Sequence, residues 1–443
     1  MLRVVIFGAG KSSPYLIKQL QKTSTELPLH ITLVDNNWLQ LPEDCKKHIH
    51  TTYLVEDISN IKKLNTIINN QDLVISMLPA HLHVDIVKCC LSQSKNLLTA
   101  SYVSEAMQEL NFKAKENGLL FLNEMGVDPG LDHMSAMELI NRLKTKGATI
   151  NSFYSHTGGL VYKTTPNSWN YKFTWNPRNV IIAGAEGATY IKANKEVKTS
   201  YPSIFTEVTP ITLNQKIFDS YPNRNSLAYA EKYNLKNIKN LYRGTLRHQG
   251  YCEAWNIFVQ LKMTDDLKEI TFFPTATRKD FIAYFLNDVK TTEITFCNKL
   301  DVNKNNPVFK KFELLNFFNN SKKLTLTKGT AANILLTILS EDWKMQPNDN
   351  DILAMQHQID YNIEGTNYST KSELLIIGED QQYTAMAKTV GAPMFEAALL
   401  MLSNKINLKG VHIPTKTAIF QPILKSLKNH GIKFIEKTKK TIV

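Results

Sequence analysis

The chain has 443 residues, of which 43% are hydrophobic and 21% charged, enough to bury large cores in two or three lobes and unlike a disordered or fibrous protein. The formal net charge is +12, yet the basic residues are mostly lysines dispersed among acids. No arginine-rich, aromatic-interleaved face appears, so the reading is no nucleic-acid partner, with positive potential drawing anionic small molecules to a cleft.

Five cysteines, at 45, 89, 90, 252 and 297, show no C-x-x-C spacing and no nearby histidine cluster, which argues against disulfides and against a metal site. The sequence opens straight into a strand, and its longest apolar stretches, Ala331–Leu339 and Ala397–Leu402, fall short of the ~20 residues of a membrane span. These features predict no secretion signal, no membrane and a reducing, cytoplasmic home.

Arg3–Phe7 is a short apolar run ending at Gly8-Ala9-Gly10, and Pro14–Leu20 has helical apolar spacing. A strand, a glycine turn and a helix predict a dinucleotide-binding unit: Gly8 permits the bend, Gly10 admits the pyrophosphate, and the charge faces the helix start. The third fingerprint position is Ser13, a small hydroxyl residue in place of glycine. A second strand, His30–Val34, ends at Asp35, about 20 residues on, where a carboxylate binds the adenosine ribose and disfavours a 2′-phosphate. NAD is therefore preferred, with NADP open. The alternation continues through Asp72–Leu78, a helix from His83, Asn96–Ala100, a helix over Glu105–Asn117 and Leu119–Leu122. This predicts an α/β fold, a Rossmann-type doubly wound parallel sheet whose carboxyl-end rim collects the polar candidates.

Several segments in order, Ile75-Ser-Met-Leu-Pro-Ala-His-Leu-His83, Ala100–Ser104, Asn123-Glu-Met-Gly-Val-Asp-Pro-Gly-Leu-Asp-His133, Tyr171–Trp175, Tyr221–Arg224, Arg243-Gly-Thr-Leu-Arg247, Met355–His357 and Ala385–Gly391, resemble the glutamate-forming saccharopine dehydrogenase (saccharopine reductase) family. The resemblance implies a Rossmann domain over 1–129 completed by 385–443, and an α+β substrate-binding and dimerisation domain over 130–384 with a helical insertion near 278–345. It implies cofactor contacts at Gly8, Ala9, Gly10, Lys11, Asp35, Asp57, Ile58, Leu78, Ala100, Ser101, Val127, Asp128, Pro129 and Trp175. Substrate contacts follow at Ser101, Tyr102, Asp128, Arg224, Thr245, Leu246 and Arg247.

Saccharopine is a lysine joined through its side-chain nitrogen to a glutarate, so its three carboxylates call for fixed cations. Arg224, Arg243 and Arg247 stand out in a lysine-dominated chain, since arginine forks grip carboxylates bidentately. The implied reaction is oxidation at the lysine-side carbon, hydrolysis of the imine, and release of glutamate and 2-aminoadipate 6-semialdehyde, or its reverse. Asp128 and Tyr102 are the catalytic candidates, with His133 either a further titratable group or a packed helix-start residue. Many family members read Cys-Gly-Gly-Leu-Pro-Ala-Pro-Glu where this chain reads Thr157-Gly-Gly-Leu-Val-Tyr-Lys-Thr164, a changed loop beside the expected substrate cavity. Two alternatives stay open here: a related reductase of a carboxylated polyamine (carboxynorspermidine-type), and a non-catalytic dinucleotide-binding protein. The partner is a small molecule, with a homodimer allowed.

Overall fold

The structure is a computed structural model that describes residues 1–441 apart from 165, 166, 168, 289 and 291. The chain divides into two compact units: Met1–Ile150, Tyr361–Tyr368 and Leu374–Val443 form the first, Asn151–Asp360 and Ser369–Glu373 the second. The residues just beyond 129 thus fall in the first unit, where the sequence placed them in the second lobe.

The first unit is built on β1 (Leu2–Phe7), β2 (Leu29–Asp35), β3 (Thr51–Val55), β4 (Leu73–Ser76), β5 (Asn96–Thr99), β6 (Leu120–Leu122) and a late strand, Gly410–His412. They lie in the order Gly410–His412, β6, β5, β4, β1, β2, β3, and every pairing is parallel. Val4, Val5, Ile6 and Phe7 are all fully buried, because helices cover both faces and a doubly covered strand reads as an unbroken apolar run. Those helices are α1 (Pro14–Ser24), α2 (Ile61–Asn69), α3 (His83–Ser92), α4 (Glu105–Glu109), α5 (Asn111–Glu116) and α6 (Leu131–Thr145).

Three elements differ from the sequence reading. The single helix expected over Glu105–Asn117 is broken at Leu110, whose N–H reaches back three residues to Met107 at 3.2 Å, and a new helix starts from its own carbonyl. β3 was not foreseen, since its Thr-Thr-Tyr-Leu-Val edge is too polar to stand out. After the final helix, Thr417–Leu427, the chain forms a further strand, Ile435–Lys440, exposed at every residue and so without apolar alternation.

Ala385–Leu402 is long and apolar enough to cross a bilayer, but it is mostly buried inside its unit and serves as a core helix. It is capped by Thr384, whose hydroxyl accepts from the Ala387 N–H at 2.9 Å. Gly391 lets it press on α1: a Cβ there would lie 2.6 Å from the Leu16 nitrogen and 3.1 Å from Tyr15 Cβ.

In the second unit β7 (Thr149–Lys163) runs parallel to the strand Asn240–His248, which pairs antiparallel with Lys216–Pro222. The Thr157 segment, expected as a loop, is therefore strand up to Lys163. It lies hard against its neighbour, since a Cβ on Gly158 would sit 2.6 Å from the Leu246 carbonyl oxygen. The helices Arg278–Leu286, Thr292–Leu300, Pro307–Leu314 and Ala331–Asp342 form the expected insertion over an aromatic core of Trp169, Trp255, Phe258, Phe312 and Trp343. Its two ends are joined by buried Arg278, which bonds the Leu315 carbonyl at 2.9 Å, Glu341 at 2.6 Å and Asp342.

Overpacking the α1 contact gives a direct test. Gly391→Ala should cost about 1–3 kcal/mol and lower the melting temperature; an unchanged melting curve would contradict the close approach.

Candidate active site

In the first sheet the connections reverse direction between β1 and β4, and ligands of such sheets bind beyond the strand ends at that point. Gly8 follows β1 there with φ +100°. A Cβ on it would lie 3.1 Å from the carbonyl carbon and oxygen of Met77 and 3.3 Å from the Leu78 nitrogen, at the end of β4. Gly10 faces open space, with nothing within 4 Å of its would-be Cβ. The turn thus closes tightly on the sheet at its first glycine and leaves the second clear for a ligand backbone to approach. Ser13 replaces the third glycine by bonding instead of by smallness: its buried hydroxyl donates to the Gly10 carbonyl at 2.8 Å.

Asp35 ends β2 with its carboxylate turned onto this turn. It accepts the Ala9 N–H at 2.5 Å, and those of Asn36 and Asn37 at 2.7 and 3.2 Å. Asp57 is exposed beyond β3. Its carboxyl is held below the usual carboxylate range by the Ser59 N–H at 2.9 Å and the Ser59 hydroxyl at 2.8 Å. Ile58 and Leu78 pack against the first unit's core.

The rest of the rim follows β5 and β6. The Tyr102 hydroxyl donates to Asp128 Oδ1 at 3.3 Å, joining the two catalytic candidates. Asp128 sits in a turn closed by the Gly126 N–H on the Pro129 carbonyl at 3.0 Å. That turn requires Gly130, whose φ is +143° and whose Cβ would lie 2.2 Å from the Gly126 oxygen. Ala100 and Ser101 border it after β5, and Val127 and Pro129 are buried within it. Beneath Ser101 lies His83, whose Nδ1 meets the Ser76 hydroxyl at 2.8 Å and whose Nε2 meets the Ser101 hydroxyl at 2.7 Å. Burial, with His81 adding to it, pushes this imidazole down to about 4, so it stays neutral near pH 7. His133 is fully buried on α6 against Glu124, Nε2 to Oε2 at 2.6 Å, which favours its packed, helix-start reading.

In the second unit Thr245, Leu246 and Arg247 occupy one strand, with Tyr221 opposite Thr245. Arg247 is 2% exposed inside a box of Tyr171, Tyr221 and Tyr251, with ring centroids 5.3, 5.5 and 5.3 Å from its guanidinium carbon. It donates to the Leu246 carbonyl at 2.9 Å and the Tyr221 hydroxyl at 3.2 Å, while its Nε is buried with no hydrogen-bond partner among the described residues. Among the described residues no carboxylate joins these contacts. Thr157, beside Thr245, also has a buried hydroxyl lacking a hydrogen-bond partner among the described residues. The other arginines are used differently: Arg243 is buried with its guanidinium 4.1 Å from the Tyr229 ring centre, and Arg224 is exposed, 3.8 Å from Glu186. Trp175 is partly buried against the aromatic core. Among the described residues no group of three or more His, Cys, Asp or Glu side chains is placed to hold a metal ion.

Residues 4–122 match the saccharopine dehydrogenase NADP binding domain and residues 126–432 the saccharopine dehydrogenase C-terminal domain. The chain belongs to the saccharopine dehydrogenase family. It is 31% identical over 402 residues to a saccharopine dehydrogenase [NADP(+), L-glutamate-forming] of Pyricularia oryzae, covering 88% of this chain and 89% of that one. It is also 31% identical over 442 residues to the mitochondrial alpha-aminoadipic semialdehyde synthase of Rattus norvegicus, covering 98% of this chain but 47% of the relative, so it spans about half of that longer protein. A solved apo saccharopine dehydrogenase (L-Glu forming) from Saccharomyces cerevisiae superposes with a TM-score of 0.88 at 27% identity, over 99% of this chain and 100% of the other. A nicotinamide dinucleotide as cofactor of the family and the mixed architecture are thereby borne out.

His83 and Glu124 went unassigned in the sequence reading although both lie in the motifs that carried the resemblance. A buried polar residue at the first position of a helix, or just past a strand, gives no periodic signal, and only the partners at Ser76, Ser101 and His133 reveal its use.

The neutral His83 has a measurable consequence. Its folded pKa of about 4 lies below the ordinary 6.5, so between those values the unfolded chain binds the extra proton. Its contribution is complete above pH 6.5 and is lost as pH falls towards 4, by roughly 3 kcal/mol at most. His156, pushed down to about 3 by burial, acts in the same direction. His83→Asn, which cannot titrate, should therefore lose less melting temperature than the parent between pH 6.5 and 4.5; parallel losses would show that His83 is not held neutral.

Proposed function

We propose that this chain catalyses the nicotinamide-dependent oxidation of saccharopine to L-glutamate and 2-aminoadipate 6-semialdehyde, or the reverse reductive condensation, within lysine metabolism. Beyond family membership, the observation that carries this reading is Arg247, a buried guanidinium whose Nε has no hydrogen-bond partner and which has no carboxylate beside it among the described residues. A buried cation left without its counter-charge costs several kcal/mol, and a substrate bearing three carboxylates supplies what is missing. The carboxylated-polyamine reading has no comparable support, since the relatives at about 30% identity over most of this chain carry saccharopine or aminoadipic semialdehyde in their names. Arg224, Thr245 and Leu246 join Arg247 as proposed substrate contacts, with Ser101, Tyr102 and Asp128 from the first unit.

The cofactor's place is the turn Gly8 to Lys11. The residues fit the group: the would-be Cβ of Gly8 strikes backbone while that of Gly10 meets nothing, and α1 begins directly behind with Pro14 in its first turn. Asp35, Asp57, Ile58, Leu78, Ala100, Ser101, Val127, Pro129 and Trp175 complete the proposed contacts. When bound, the dinucleotide supplies hydride acceptance. The protein's own groups handle protons. Asp128 takes the proton of the secondary amine as the lysine-side C–H bond breaks and the C=N bond forms. Asp128 hands that proton back to the imine nitrogen and, ionised again, accepts one from the water that adds to the carbon and passes it to nitrogen; as the C–N bond breaks it takes the carbinolamine hydroxyl proton and releases it to solvent, freeing glutamate and the aldehyde. The Tyr102 hydroxyl, bonded to Asp128 at 3.3 Å, orients the carboxylate and relays the proton.

The dinucleotide's identity is a choice between two signals. The fungal relatives and the matched domain carry NADP in their names. In this chain, however, the residue ending β2 is the carboxylate Asp35, fixed by three backbone N–H groups and followed by two asparagines. A fixed negative charge there repels a 2′-phosphate, and we infer a preference for NAD. A reducing compartment such as the cytoplasm suits the five cysteines, all free, and the family resemblance allows a homodimer.

Saccharopine with NAD should raise the absorbance of the reduced nicotinamide. Asp128→Asn should lower kcat by about 100-fold or more while dinucleotide affinity stays within about twofold. No turnover by the parent protein defeats the reading. Asp35→Ser should shift the ratio of kcat/KM for NADP over NAD upward by about tenfold or more; a parent that already prefers NADP overturns the assignment of Asp35.

A further inference from the structure

The three residues Ser101, Tyr102 and Val103 carry two of the proposed contacts, and the question is what holds them. Two bonds reach them from one residue, and a third ties that residue to α6. The Glu124 N–H donates to the Ser101 carbonyl at 3.0 Å, and Glu124 Oε1 accepts the Val103 N–H at 3.2 Å. Glu124 Oε2 meets His133 Nε2 on α6 at 2.6 Å. Glu124 is 1% exposed and His133 0%. Glu124 is also in the left-handed region, φ +57°, without being glycine. That conformation is strained for a residue with a β-carbon and persists only where the surroundings over-determine it.

The position of Glu124 in the chain gives these bonds their meaning. It lies between β6 and the turn that carries Asp128. That turn is tied to the start of α6 by the Leu131 N–H on the Gly126 carbonyl at 2.9 Å and the Asp132 N–H on the Val127 carbonyl at 3.0 Å. His133 is the third residue of the same helix. Glu124 therefore fixes both members of the Tyr102–Asp128 pair: the tyrosine's segment by direct bonds, the aspartate's turn through His133 and α6.

We propose that Glu124, braced by His133, is a positioning residue that holds the Tyr102 hydroxyl on the Asp128 carboxylate. It touches neither substrate nor cofactor. The proposal rests on reading Tyr102 and Asp128 as the proton-handling pair, so it needs a readout that does not depend on turnover. Glu124→Ala removes both side-chain bonds, whereas Glu124→Gln keeps an acceptor for the Val103 N–H and offers His133 a donor.

In crystal structures of the parent and the two variants, the Tyr102 hydroxyl should leave hydrogen-bond distance of Asp128 in Glu124→Ala and keep it in Glu124→Gln. In assays, Glu124→Ala should lower kcat with saccharopine by about tenfold to 100-fold, since misplacement by ~1 Å costs that much. Dinucleotide affinity by calorimetry should stay within about twofold, and Glu124→Gln should recover kcat to within about threefold. The proposal is overturned if the pair keeps its distance in Glu124→Ala. It is equally overturned if kcat and dinucleotide affinity fall together without rescue by glutamine, the pattern of a merely structural residue. A parent inactive on saccharopine would defeat the reaction reading alone, while the crystallographic distances would still decide the role of Glu124.

Discussion

The first unit depends on the approach of the Gly8 backbone to Met77 and Leu78, at the meeting of the two central strands of its sheet. Glycine suits the position because its φ of +100° strains any residue with a Cβ and a Cβ would crowd backbone atoms at 3.1 Å. That single contact lets β1 turn into α1 without lifting off the sheet, and it aims the helix start at the space beyond the strand ends. Asp35 then locks the turn from the neighbouring strand through the Ala9 N–H. The turn from Gly8 is thus preorganised by backbone geometry, which would spare a ligand bound there the cost of ordering a loop.

The two units hold their candidate site residues by different means. In the first, the short loops that bear Tyr102 and Asp128 are stiffened from below by buried polar residues, a neutral imidazole under Ser101 and an acid–imidazole pair beside Tyr102. In the second, the charge sits on a central strand, where Arg247 is enclosed by three tyrosine rings. Aromatic faces tolerate a guanidinium by cation–π attraction, but they do not neutralise it. The arginine therefore keeps its affinity for carboxylate while being shielded from competing water.

Much of this was readable from residue types. The unbroken run Val4–Phe7, the glycines after it and the acid closing β2 each have one physical use in a parallel sheet. The insertion from Arg278 was legible as well, because its aromatic and aliphatic residues recur at helical spacing. What escaped were features whose meaning lies in distant partners. The edge strand Thr51–Val55 and the exposed Ile435–Lys440 are half or wholly solvated and so lack the apolar pattern that marks a strand. Thr157 looked like part of a loop since its neighbours are glycines, yet those glycines are there so that two strands can touch at Leu246. His83 and Glu124 are polar residues inside a core, and only their bonds explain them. Of the three arginines that stood out by composition, only Arg247 combines complete burial with an unused donor.

The first sheet ends on a strand contributed from near the carboxyl terminus, Gly410–His412, and α1 is covered by Ala385–Leu402. The opening 150 residues consequently emerge from the ribosome with an unpaired β6 edge and a bare apolar helix, and they must wait for the last 60 or so to be synthesised. The second unit is nearly continuous in sequence and has its whole complement earlier. Birth order and completion order are inverted: the half made first is finished last, and until then its β6 edge stays open to unwanted pairing.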